Sequence, residues 1–228
     1  MIKHFRYLLY LYVFTGYLVA IAGAYDDFFR AVRQDDTATV SALLQRGFDV
    51  NSPDPQSRNA LGLALTEPSP RVLQVLLDWP ATRIDQRNEN DETPLMIAAL
   101  RGNLPAAQGL LARGADVNKT GWTPLHYAAT RGDPALMRLL LEHHAYIDAE
   151  SPNGSTPLMM AARYGTRDAV QLLLDTGADP LLKNQLQLSA RDFAKGASRD
   201  EIAALIGAAI SALPERTQPL GPGTRPSP

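Results

Sequence analysis

One seven-residue phrase returns at near-constant intervals along this chain, and a chain that repeats itself on such a beat has few folds open to it. Thr93-Pro94-Leu95-Met96-Ile97-Ala98-Ala99 reappears as Thr123-Pro124-Leu125-His126-Tyr127-Ala128-Ala129 and again as Thr156-Pro157-Leu158-Met159-Met160-Ala161-Ala162. Looser copies stand at Asn59-Ala60-Leu61-Gly62-Leu63-Ala64 and Ser189-Ala190-Arg191-Asp192-Phe193-Ala194. Their starts at 59, 93, 123, 156 and 189 are 34, 30, 33 and 33 residues apart. A second phrase keeps the same period: Gly47-Phe48-Asp49-Val50-Asn51, Gly114-Ala115-Asp116-Val117-Asn118 and Gly177-Ala178-Asp179. His144-Ala145-Tyr146-Ile147-Asp148 supplies the remaining copy, with His in place of Gly.

Each phrase has a local physical meaning. Thr is a good N-cap, and Pro at the next position gives up an amide that a first helical turn cannot use. The Ala-Ala pair makes a small face that a neighbouring repeat can approach closely. Gly102, Gly132 and Gly165 follow as helix stops, which the spacing predicts to be left-handed. A second helix then carries apolar residues at helical spacing, as in Leu136, Leu139, Leu140 and in Val170, Leu172, Leu173, Leu174. One such unit cannot bury its apolar face alone, so the copies must stack.

The pattern resembles the ankyrin repeat, over about Asp26 to Ser211. The resemblance implies an all-α solenoid of about six stacked helix-turn-helix repeats with short β-hairpin-like fingers. The first unit, Asp26 to Asn51, is expected to turn Phe28, Phe29, Leu43 and Leu44 inward. The last, Leu186 to Ser211, departs from the motif, and its Arg191, Lys195, Arg199, Asp200 and Glu201 suit a polar outer cap. The 30-residue interval removes three residues between Asn118 and Trp122, so a shortened finger is expected there.

The segment before the repeats has a different character. Lys3 and Arg6 open it, Tyr7 to Ile21 is uncharged and largely apolar, and Ala22-Gly23-Ala24 offers a small-residue cleavage site. Residues 1–24 therefore read as a secretory signal cleaved before Tyr25, with an uncleaved membrane anchor as the competing reading. Residues 25–212 form the repeat domain, and 213–228, rich in Pro and Gly, are expected to be a disordered tail. Lys+Arg number 22 against 24 Asp+Glu, and losing Lys3 and Arg6 makes the mature net charge −4. A chain with no basic excess is a poor nucleic-acid binder. It has no cysteine, which excludes disulfides and thiolate chemistry.

Catalytic motifs are absent from the sequence, and no cofactor or metal is expected. His126 occupies a repeat position where it braces neighbouring turns, and His143 and His144 are adjacent on a helix and diverge too far to chelate together. Arg131-Gly132-Asp133 reads as a helix stop followed by a cap. The ankyrin resemblance implies protein recognition through finger tips and inner helices, without catalysis. Transferring its contact positions residue by residue gives Glu92, Trp122 and Asn153 on or beside fingers. After the Ala-Ala pairs come Arg101, Arg131, Arg163 and Tyr164. Trp, Tyr and Arg concentrate binding energy, and a line of guanidinium groups suits a partner bearing carboxylates.

The expectation is thus a monomeric, non-catalytic module in the bacterial periplasm that binds another protein, with an antioxidant enzyme such as catalase as one candidate partner. Alternatives are an immunity-type inhibitor of a delivered toxin, a membrane-anchored envelope scaffold and a secreted host-directed effector. The membrane enters only if residues 1–24 stay attached.

Overall fold

A computed structural model describes residues 23–214 of the chain. Residues 1–22 of the expected signal (1–24) and residues 215–228 of the expected tail (213–228) lie outside the described residues. Two compact units divide the chain between Asp116 and Val117. The first holds α1 (described over 23–33), α2 (Thr37–Gln45), α3 (Ala60–Thr66), α4 (Pro70–Asp78), α5 (Pro94–Arg101) and α6 (Leu104–Ala112). In the second are α7 (Pro124–Arg131), α8 (Pro134–Glu142), α9 (Pro157–Tyr164), α10 (Arg167–Asp175), α11 (Ala190–Gly196) and α12 (Asp200–Ser211). Each unit is therefore three helix pairs, as the repeat spacing predicts. Among the described residues the only β pairing is two isolated antiparallel bridges, Pro53 with Asn59 and Lys183 with Ser189, each closing a finger.

The recurring phrase builds the first helix of each pair. Thr93, Thr123 and Thr156 cap α5, α7 and α9 through their side-chain oxygens. The third residue of each helix answers, because Met96 Sδ, His126 Nδ1 and Met159 Sδ accept from the cap N–H. Asn59 caps α3 and Ser189 caps α11 in the same way. The Ala-Ala pairs 98–99, 128–129 and 161–162 are wholly buried. In the second unit α7 packs on α9 and α9 on α11, which is the close approach that small side chains permit. Leu125 and Leu158 in the first turns of α7 and α9 are fully buried.

Two sets of hydrogen bonds register the repeats. In the first, Asn51, Asp85, Asn118 and Asp148 each accept from a backbone N–H in the next repeat: Arg83 at 2.8 Å, Asp116 at 3.0 Å, Tyr146 at 2.8 Å and Asp179 at 3.1 Å. The two asparagines also donate, Asn51 to Ala81 O and Asn118 to His144 O. The second set shapes the fingers. Asp54, Asn88 and Asn184 each accept from the amides two and four residues on. Ser151 uses its hydroxyl oxygen to accept from Ser155 N–H.

Several expectations need correction. Gly102 and Gly132 are left-handed, with φ of 68° and 73°, but Gly165 is extended at φ −76°. Gly165 is small for a different reason, since a Cβ there would lie 2.4 Å from Ala129 O. Leu43 is only half-buried and Val40 takes its inward place beside Leu44, one helical turn apart. Arg199 is not part of an outer cap, because its guanidinium donates to Ala161 O and Ala162 O of α9 at 3.1 and 2.9 Å. The shortened finger lies where the spacing put it, with all three missing residues lost between Asn118 and Thr123. Two are lost between Asn118 and Lys119, where Asn51 and Asp148 are each followed by two linking residues, and one from the turn that Gly121 closes at φ 86°.

Candidate functional site

Both chemistry and recognition in a repeat protein depend on what the buried framework leaves outside. His126 belongs to the framework. Its ring is fully buried; Nδ1 accepts from Thr123 N–H at 3.2 Å, which leaves Nε2–H to donate to Ser155 O at 2.9 Å in the next finger. Burial holds its pKa down to about 4, so the imidazole is neutral and sequestered. Asp85 and Asp148 of the ladder are pushed up, first by burial and then by the neighbouring carboxylates of Asp116 and Asp179. Asp54 is pushed up by burial, but its bonds to Arg58 more than reverse this and leave it below the usual range. Among the described residues no group of His, Asp and Glu side chains is arranged to hold a metal ion. These four titratable groups act as structural braces.

The seven recognition residues fall into both units. Glu92 and Arg101 are in the first. Glu92 is half-buried and accepts from Asn88 Nδ2 at 2.8 Å, while Arg101 is exposed at the end of α5. The remaining five are in the second. Arg131 and Arg163 are exposed at the ends of α7 and α9, but Arg131 is the last residue of its helix and Arg163 the last but one, so Tyr164, 56% exposed, is the residue that shares the register of Arg131. The Arg163 guanidinium sits 5.3 Å from the Tyr164 ring centroid, a cation–π pair that presents one flat amphipathic surface. Trp122 is half-buried with its ring 5.2 Å from His126, edge to face, so part of its area covers the short finger. Asn153 is exposed yet locks its own turn, accepting from Ser151 Oγ at 2.6 Å and from Ser155 N–H at 3.2 Å.

Sequence reasoning missed two exposed apolar residues of the second unit. Leu186 and Leu188, on the finger that Asn184 shapes, are 72% and 40% exposed. The signal was available, since Asn184 to Leu188 precedes the Ser189 cap in the register in which Ser151 to Ser155 precedes Thr156. The degenerate phrase of the last repeat hid it.

With the framework and this surface in place, the chain can be set beside known proteins. A family model for ankyrin repeats (three copies) matches residues 28–120 and 114–184. The chain belongs to the ankyrin-repeat family, and its helix pairs place it in the all-α repeat-solenoid class. Ankyrin repeats are protein-interaction modules. The chain is 37% identical over 145 residues to the nuclear factor NF-kappa-B p105 subunit of Mus musculus, covering 60% of this chain and 15% of that protein. It is 34% identical over 152 residues to the B-cell lymphoma 3 protein homolog of Mus musculus, covering 64% of this chain and 34% of that protein. The chain thus spans only a small part of these curated relatives. Among solved structures, it is similar to a chain in the complex of the predatory endopeptidase Bd0816 of Bdellovibrio bacteriovorus with the immunity protein Bd3460. The TM-score is 0.70 at 27% identity, covering 80% of this chain and 97% of that one.

Proposed function

We propose that this protein is a non-catalytic binding protein of the bacterial periplasm that restrains a peptidase, in the manner of an immunity protein. The observation that carries the reading is the similarity to a chain of an endopeptidase–immunity protein complex along almost the whole of that chain. The basic start, apolar middle and Ala22-Gly23-Ala24 site support export. The partner-facing strip is Arg131, Arg163 and Tyr164 with Leu186 and Leu188. Exposed guanidinium groups and exposed apolar side chains in one unit suit a protein surface that combines carboxylates with apolar anchors. Among the described residues no helix is long and apolar enough to cross a membrane.

The test starts from a periplasmic extract of the source organism passed over the immobilised protein and over an Arg163→Ala/Tyr164→Ala variant. Trp122 is left intact because it also packs on His126. Retained proteins are then assayed for peptide-bond hydrolysis with and without added protein. A peptidase held by wild type, released at least tenfold more readily from the variant and inhibited by the added chain is the expected result. Retention of a protein with no such activity, or hydrolysis unaffected by the chain, would overturn the inhibitor reading. Export is checked separately by amino-terminal sequencing of the periplasmic form, which should begin at Tyr25.

A further inference from the structure

The second unit carries an apolar surface on its last helix. From Ile202 to Pro214 the sequence has no charged residue. Ile202, Ala203 and Ile206 face the fold and are buried, but Ala204, Ala208 and Ala212 are exposed, and Leu205, Ala209 and Leu213 are half-buried. Together with the end of α10 and the 177–181 connection, α12 walls a groove of about 640 Å³. Leu174, Leu181, Leu205 and Leu213 give it an apolar lining, and its charged lining residues are Asp175 and Asp179.

Comparison with the preceding helix pair shows what such a position normally holds. There the Gly177-Ala178-Asp179 segment turns in after α10, buries Ala178 and donates Asp179 N–H to Asp148. After α12 the sequence has no Gly-Ala-Asp phrase. The accepting side chain is missing as well, because Leu181 stands where Asn51, Asp85, Asn118 and Asp148 stand in earlier repeats. An arriving backbone would find no side-chain acceptor at that position, only apolar contact. Asp175 and Asp179 spend one oxygen each on Gln171 Nε2 and Leu181 N–H, at 2.7 and 2.8 Å, leaving each a second oxygen for a cation.

We propose that this groove is a second docking site, distinct from the finger strip, for a partner-protein segment that carries apolar side chains flanked by lysine or arginine. The apolar floor supplies the driving force and the two carboxylates select the sign of the flanking charge.

The probe is a fluorescent twelve-residue peptide of alternating leucine and arginine, with its leucine–glutamate counterpart as control, titrated against the full chain by anisotropy. The arginine peptide should bind saturably. Asp175→Asn/Asp179→Asn should weaken it at least fivefold, since the amides keep both accepting oxygens and remove only the charge. Leu181→Lys, which removes apolar lining and sets a cation beside the two carboxylates, should abolish binding, whereas Arg163→Ala/Tyr164→Ala should leave it unchanged. Circular dichroism and the urea midpoint confirm that each variant is folded. Equal binding of the glutamate peptide, or indifference to the Asp175/Asp179 pair, would overturn the proposal. A photo-crosslinker at Ala208 adds a further arm. Crosslinking to residues 215–228 of the same chain, or to a second copy, would overturn it by assigning the groove to those occupants.

Discussion

Replacing His126 by Met turns a buried histidine into a quantitative test of the framework. The ring is fully buried and its pKa falls from 6.5 to about 4, chiefly through desolvation. A folded pKa below the unfolded one means that the neutral ring's contribution is complete above the unfolded value. It is lost as the pH falls from there toward the folded value. At about 1.4 kcal/mol per unit, the loss across this window is about 3 kcal/mol. Met is the residue that α5 and α9 use at this position, where Met96 and Met159 accept from the cap N–H. The variant gives up the donor to Ser155 O, but that carbonyl still accepts from Ser151 N–H at 3.0 Å. The cost at pH 7 should therefore be about 1 kcal/mol. Urea denaturation of wild type and His126→Met from pH 7.5 to 4 should give stability curves that cross near about pH 6, with the variant the more stable at the acid end. The carboxylates common to both proteins cancel in the difference. Parallel curves, or an imidazole NMR titration with a midpoint near the unperturbed value, would refute the buried, neutral assignment.

Four further substitutions probe the repeat framework. Asp148→Asn should stabilise at pH 7 by about 0.5–1.5 kcal/mol, because it keeps the bond to Asp179 N–H and removes a charge that burial and Asp179 both disfavour. Its advantage should shrink as the pH drops through the raised pKa of Asp148, where protonation relieves the wild type, and an advantage that grows in acid would contradict this. His144→Gly should raise the thermal midpoint, gaining about 1 kcal/mol, since His144 is left-handed at φ 65° where Gly47, Gly114 and Gly177 stand in other repeats. Gly165→Ala should cost about 3 kcal/mol in urea denaturation, because its Cβ would meet Ala129 O at 2.4 Å. Gly114→Ala, with open space around its Cβ, should lose only about 1 kcal/mol to its positive φ.

Much of the framework was legible because it is made of local signals repeated in register. Thr-Pro-Leu gave the starts of α5, α7 and α9, and the Ala-Ala pairs gave their close-packed faces, since cap chemistry and side-chain size act within a few residues. What stayed hidden depends on groups far apart in sequence. Gly165 shares its place in the phrase with Gly132, and only the approach of Ala129 O shows that its smallness serves contact and not handedness. Arg199 looks like a surface charge until the carbonyls of α9 are seen above it. The exposed leucines of the last finger and the apolar flank of α12 escaped notice because hydrophobic residues in a terminal repeat read as core. Among the proposed contact residues, Arg163 and Tyr164 are exposed, whereas Trp122 and Asn153 also serve the fold.

The ladder of Asn51, Asp85, Asn118 and Asp148 ends at Leu181, and that one position sets how the protein can grow. A repeat added after α12 by gene duplication or by design would arrive with an amide for which the existing chain has no side-chain acceptor. Leu181→Asn would restore it, so an extended array should be more stable in that background by about 1 kcal/mol.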